Sequence, residues 1–320
     1  MTEIAHPELF DVDVEGGRLR VARWGTGSSD AFPVLAAHGI TASHVSWGVV
    51  GTQLQDEMSV IVPDLRGRGD SNRLPGPYGM AAHARDLIAI ADALGIERAI
   101  IAGHSMGGFV ATAFAVADPA RARAVVLVDG GLLTGLTGLT GALAVRVDPD
   151  GASERVLGPA LKRLRMEFES REAYREFWRQ HPALVDSWSP AVQAYVDYDL
   201  AGEPGSYRSK VVEGVVRADY QDMVLNPDVR RAAEQITCPV LFLRAPRGMQ
   251  NEPTGLYPSR ALRAATRRIP SLEVREVARC NHYTIMLAEG AGRVADHIRA
   301  IADRLGLGDR RCGAEQAERG

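Results

Sequence analysis

Cysteine is scarce. Cys238, Cys280 and Cys312 are the only three in 320 residues, odd in number and far apart. That excludes a disulfide framework and a zinc-ligand pattern, and a reducing, cytoplasmic setting is expected. Charge of one sign is also lacking. The formal net charge is −3, whereas a nucleic-acid binder shows a strong basic patch or stripe. No apolar run approaches the roughly 18 residues of a membrane span. The opening MTEIAHPELFDVDVEGG has no basic start and apolar stretch, so no secretory leader is expected. No histidine pair has a spacing such as H-x-x-x-H, and neither metal nor cofactor is expected.

Apolar residues are plentiful, at 46% of the chain, enough for a sizeable core. Four short runs are almost continuously apolar: VLAAHG (34–39), VIVPDL (60–65), AIIAGH (99–104) and AVVLVD (124–129). Such runs suit strands covered on both faces of a parallel sheet. Between them AAHARDLIAIADALG places Leu87, Ile90, Ala91 and Leu94 on one helical face, with Gly95 as a stop. Alternating strand and helix predicts an α/β fold. Ahead of these runs, LFDVDVEGGRLRVARWG reads as a hairpin turning near Gly16-Gly17.

The pattern breaks after residue 131. TGLTGLTG and charged, aromatic stretches such as EFESREAYREFWRQH follow, and strands return with CPVLFLRAP (238–246) and LEVREVA (272–278). The expected organisation is therefore a core of residues 1–131 and 235–305, a helical cap over 132–234, and a frayed tail over 306–320.

The chemistry concentrates in AIIAGHSMGGFVATAF, where Ser105 stands between Gly103 and Gly107 at a strand-to-helix bend. A G-x-S-x-G bend there raises the serine oxygen above the carboxyl ends of the strands. The plainer reading is a serine capping a helix. The apolar strand before it and the apolar helix after it favour the nucleophile. His282, in ARCNHYTIML, follows the last strand and precedes the last helix, which puts it at the same sheet edge as candidate base. A tetrahedral intermediate needs two donors about 3 Å from its oxygen. The N–H groups of Ile40, in AAHGIT, and Met106 are assigned to that task. His38 is read as holding the loop.

With HGIT, DLRGRGDS, GHSMGG and NHYT in this order, the sequence resembles the α/β-hydrolase superfamily over nearly the whole chain except the insertion and tail. The resemblance implies an eight-stranded, mostly parallel sheet with helices on both faces. It also implies a helical cap inserted after the sixth strand and a triad in the order serine, acid, histidine. Asp64, Gly67, Gly69 and Ser71 match the family's D-x-x-G-x-G-x-S turn, which is structural. The acid departs from the pattern, because Gly248 stands where the family most often places an aspartate. Asp129, ending the sixth strand where a carboxylate is rigidly placed, is the assigned acid, with Glu252, four residues beyond Gly248 in a loop, as the alternative.

A serine nucleophile suits acyl transfer, whereas related dehalogenases and epoxide hydrolases use an aspartate at the bend. The expected partner is a small or medium, partly apolar ester or lactone, with no nucleic acid and no membrane span; a homo-oligomer stays open. Other reactions of the same triad are carbon–carbon bond hydrolysis and cofactor-free haloperoxidase or perhydrolase chemistry. A non-catalytic ligand-binding homologue is the remaining alternative. Trp47, His44, Trp178 and Trp188 are the candidate pocket residues. The cap's arginines would suit an acidic substrate, but a solvated helix face is the preferred reading of them.

Overall fold

The computed structural model describes residues 4–26, 31–133 and 143–306. The TGLTGLTG stretch and the tail from 307 onward lie outside these residues. Eight strands form the main sheet. They are β1 (Glu8–Val14), β2 (Gly17–Trp24), β3 (Phe32–Ala37), β4 (Met58–Pro63), β5 (Ala99–His104), β6 (Ala122–Val128), β7 (Val240–Arg244) and β8 (Leu272–Glu276). The order across the sheet is β1-β2-β4-β3-β5-β6-β7-β8. β1 and β2 form the antiparallel hairpin, β2 meets β4 antiparallel, and every later pairing is parallel.

The apolar runs become strands because both faces are covered: every residue of β4 and β5 is buried. On one face α1 (Gly48–Leu54) and α11 (Glu289–Arg304) pack with Trp47, Val50, Val294 and Ile298. On the other lie α2 (Met80–Ala93), α3 (Met106–Ala117) and α9 (Ser259–Arg268), through Leu87, Phe109, Phe114 and Leu262. The predicted face of α2 is the buried one, with Leu87, Ile90 and Ala91 inside. Among the described residues between β6 and β7 lie the helices α4 (Pro149–Leu164), α5 (Arg171–Arg179), α6 (Pro190–Asp199), α7 (Glu213–Leu225) and α8 (Pro227–Arg231), with a short antiparallel ribbon of Leu200–Ala201 against Arg208–Ser209. Asp148, Ser170, Ser189 and Asn226 each accept a backbone N–H at the start of a helix, which is why α4, α5, α6 and α8 begin there. Among the described residues no helix is long and apolar enough to cross a membrane.

The helical segment is tied to the sheet through the DLRGRGDS turn. Arg68 pairs with Asp219 of α7, and both side chains are fully buried. Asp219 also accepts the Gly79 N–H at 2.7 Å and faces His83 at 3.1 Å. Tyr198 of α6 donates to Asp64 at 2.6 Å. Asp64 accepts the His44 N–H and ring Nδ1 at 2.9 Å each, and the Asp70 N–H at 2.9 Å. Burial alone would raise its pKa, but His44, His38 and Tyr198 outweigh that and hold it below the usual carboxylate range.

Candidate active site

β5 ends at His104 and α3 begins at Met106, leaving one residue for the reversal. Ser105 adopts φ 55°, ψ −121°, a region that costs a residue with a side chain roughly 1–3 kcal/mol. The flanking glycines follow from close approach. A Cβ on Gly103 would stand 2.0 Å from the Gly107 carbonyl oxygen, and one on Gly107 would stand 2.1 Å from that of Ala37. The bend closes only if both positions lack a side chain.

His282 lies between β8 and the short helix α10 (Thr284–Leu287). Its Nε2 is 3.0 Å from Ser105 Oγ and its Nδ1 is 2.7 Å from Asp129 Oδ2. Asp129 follows β6 directly, at φ 46°, a left-handed conformation that Asp tolerates better than most residues. Its Oδ1 accepts the Ala245 N–H at 3.1 Å, so the carboxylate is fixed by both neighbouring strand ends. A carboxylate only accepts, so Nδ1 carries the proton and Nε2 receives the serine O–H. The structure thus brings Asp129, and not Glu252, to His282. Glu252 accepts the Gln250 N–H through Oε2 at 2.8 Å and the Gly248 N–H through its carbonyl at 3.0 Å. That folds it onto its own loop.

His38 accepts the Leu65 N–H at Nε2 (3.0 Å) and donates from Nδ1 to the Gly39 carbonyl (2.8 Å). Burial pushes its pKa down to about 3, so the ring is a neutral brace beneath the loop. Gly39 lies against the bend, since a Cβ there would be 3.4 Å from that of Ser105. Among the described residues neither the Ile40 N–H nor the Met106 N–H has an acceptor. His104 donates from Nε2 to the His282 carbonyl at 3.0 Å, and the two rings are 4.7 Å apart. Burial, reinforced by the neighbouring His282, lowers its pKa well below the usual value. The His104 ring is therefore neutral.

Above Ser105 lies a cavity of about 320 Å³, floored by Gly39, Ile40, His104 and His282 and roofed by α4, α5 and α6. On α4 the lining residues include Val156, Pro159, Ala160 and Arg163, which recur at helical spacing, with Val156 half exposed and Arg163 buried.

A profile for the alpha/beta hydrolase fold matches residues 33–288. The chain belongs to the alpha/beta hydrolase family. Among relatives, a soluble epoxide hydrolase of Corynebacterium sp. (strain C12) is 32% identical over 114 residues, 36% of this chain and 37% of that protein. The chain spans about two fifths of the length of the curated relatives it matches first. Two solved structures share the fold. E-2-(acetamidomethylene)succinate hydrolase has a TM-score of 0.74 at 21% identity, covering 93% of this chain and 100% of that one. The enol-lactonase from Burkholderia xenovorans LB400 has a TM-score of 0.61 at 20% identity, covering 92% and 99%.

In this alpha/beta hydrolase one of the four expected pocket residues, Trp178, lines the cavity, and the other three lie elsewhere. Trp47 is fully buried in the core beneath, donating to the Ala37 carbonyl at 3.2 Å. His44 is turned away onto Asp64 and packs edge-on against Tyr198 at 4.6 Å. Trp188 lies under the Arg179 guanidinium, 4.8 Å from ring centroid to cation. Proximity in sequence to the His38-Gly39 turn could not report which way the following 3-10 turn points. Conversely Arg163 and Tyr283, which were not pocket candidates, line the cavity, as does Tyr195 among the aromatics of the helical segment. The available signal was an arginine continuing the apolar stripe of α4.

Proposed function

We propose that this alpha/beta hydrolase is a serine hydrolase that cleaves a small or medium, partly apolar carboxylic ester or lactone through an acyl-enzyme on Ser105. The observation that carries the reading is the relay Asp129–His282–Ser105, at 2.7 and 3.0 Å, ending on a strained serine at the floor of an open cavity. His282 Nε2 takes the serine proton as Oγ attacks the carbonyl carbon, and Asp129 stabilises the imidazolium. The N–H groups of Ile40 and Met106 hold the oxyanion. His282 then protonates the departing alcohol. In the second half it takes a proton from water, hydroxide attacks the acyl carbonyl, and the proton returns to Oγ as the acid leaves.

p-Nitrophenyl esters of acetate to octanoate test this reading. Hydrolysis is expected in the wild type and is expected to fall by about 10⁴-fold or more in Ser105→Ala and His282→Ala. Hydrolysis that persists in Ser105→Ala would place the chemistry on another group.

A further inference from the structure

Arg163 ends α4 with its side chain only 3% exposed, yet it lines the cavity. Its Nη1 is fully used: it donates to the Tyr174 hydroxyl at 2.6 Å and to Asp199 Oδ2. Tyr174 donates to the same Asp199 oxygen, and Asp199 Oδ1 accepts the Ser209 hydroxyl at 2.8 Å. The guanidinium stacks over Trp178, 5.1 Å from its ring. These contacts hold the plane of the group in one orientation. They leave Nε–H and both Nη2 protons with no acceptor among the described residues. Nε and Nη2 form one edge of the guanidinium, with parallel N–H bonds spaced to match the two oxygens of a carboxylate.

Two further donors belong to the same place. Tyr195 and Tyr283 also line the cavity, their hydroxyls have no partner among the described residues, and both rings flank Trp178 at 6.1 Å. Burial opposes the charge on Arg163, but Tyr174 and Asp199 outweigh it and keep the group cationic. Among the described residues Glu252 is the one carboxylate lining the cavity, and it is turned onto its own loop. A second cation, Arg155, lies at the mouth with its side chain 60% exposed.

We propose that the Nε/Nη2 edge of Arg163, with the hydroxyls of Tyr195 and Tyr283, binds a carboxylate on the substrate, so that the preferred ester is a half-ester of a short dicarboxylic acid. The proposal rests on the serine-hydrolase reading for the cleavage, though not for the binding. Tyr283 follows His282 in the chain, so the anion site is held in register with the reacting carbonyl. One carboxyl group would lie on Arg163 while the esterified one reaches Ser105.

The test compares monomethyl with dimethyl esters of succinate, glutarate and adipate, followed by alcohol release. For at least one chain length the monoester should have the higher kcat/KM. Arg163→Gln should lower the monoester-to-diester ratio by about ten- to hundredfold, the range for a charged hydrogen-bonded contact. Arg163→Gln also loosens Asp199, so Tyr195→Phe and Tyr283→Phe, each removing one oxygen, repeat the comparison with an expected drop of about three- to tenfold. In parallel, calorimetry measures binding of the free dicarboxylates to Ser105→Ala, with and without Arg163→Gln. Weaker binding by about tenfold or more on adding Arg163→Gln supports the subsite even if no ester is cleaved, in which case only the hydrolase reading falls. Diesters cleaved as well as monoesters at every length, with dicarboxylate binding indifferent to Arg163, would overturn the subsite and leave the hydrolase reading standing.

Discussion

The proposed reactivity of Ser105 rests on what surrounds it. The His104 ring beside His282 is held neutral by burial, and Asp129 fixes the His282 tautomer. Asp129→Asn should lower kcat for an ester by about 10⁴-fold while leaving the fold intact, because an amide selects the wrong tautomer. Glu252→Gln should lower it by less than about tenfold, since no charge on Glu252 contacts the base. If the sizes are reversed, the acid is Glu252. Both carboxylates were visible in the sequence, but what decides between them is the left-handed turn at Asp129, which one sequence does not display. The two buried rings also set a pH dependence. His38 and His104 are neutral when folded and take up protons below about pH 6.5 once unfolded. Stability is therefore complete above that pH and falls on acidification toward about 3, where folded His38 itself protonates. The slope is up to about 1.4 kcal/mol per pH unit for each ring. Urea denaturation from pH 7 to 5 measures it, and a flat profile would contradict the burial of these rings as neutral groups.

At the scale of elements, the strands were legible because burial on both faces writes itself as an unbroken apolar run. VIVPDL and AIIAGH became β4 and β5, with the ends moved by two residues or fewer. The bend was legible because two glycines and a serine at fixed offsets leave few other uses. Gly107→Ala should cost more than about 3 kcal/mol in a denaturant melt, since the new Cβ meets the backbone of β3 and not a side chain able to move. A loss under about 1 kcal/mol would mean the bend is looser than its contacts imply. The helical segment was legible as helices but not as a lining. Which stripe of α4 faces Ser105 depends on how α4 docks, so Arg163 could not be told from a solvated arginine, and Trp188 could not be told from a pocket wall.

At the scale of the whole molecule, the sheet presents the serine and the helical segment encloses it. The two are joined by buried charge. Asp219 gathers Arg68, His83 and the Gly79 N–H, and Asp64 gathers His44, Tyr198 and the Asp70 N–H. Removing one partner of a buried pair strands the other, so Asp219→Ala should cost about 3–5 kcal/mol. Because Arg68 also donates to the Ile40 carbonyl at 2.9 Å, the same change should disturb the proposed oxyanion loop and lower kcat. The DLRGRGDS turn is expected from the sequence to be structural, and its contacts join the sheet to the helical segment.

The central claim is that Ser105 is the activated nucleophile, and trapping it covalently tests that most directly. Folded protein is treated with a fluorophosphonate and its mass and modified peptide are read by mass spectrometry. The account predicts a single adduct, on Ser105 in the peptide containing GHSMGG, with labelling slowed by about a hundredfold or more in Asp129→Asn. An unlabelled Ser105 in folded protein, or an adduct on another residue, would contradict it.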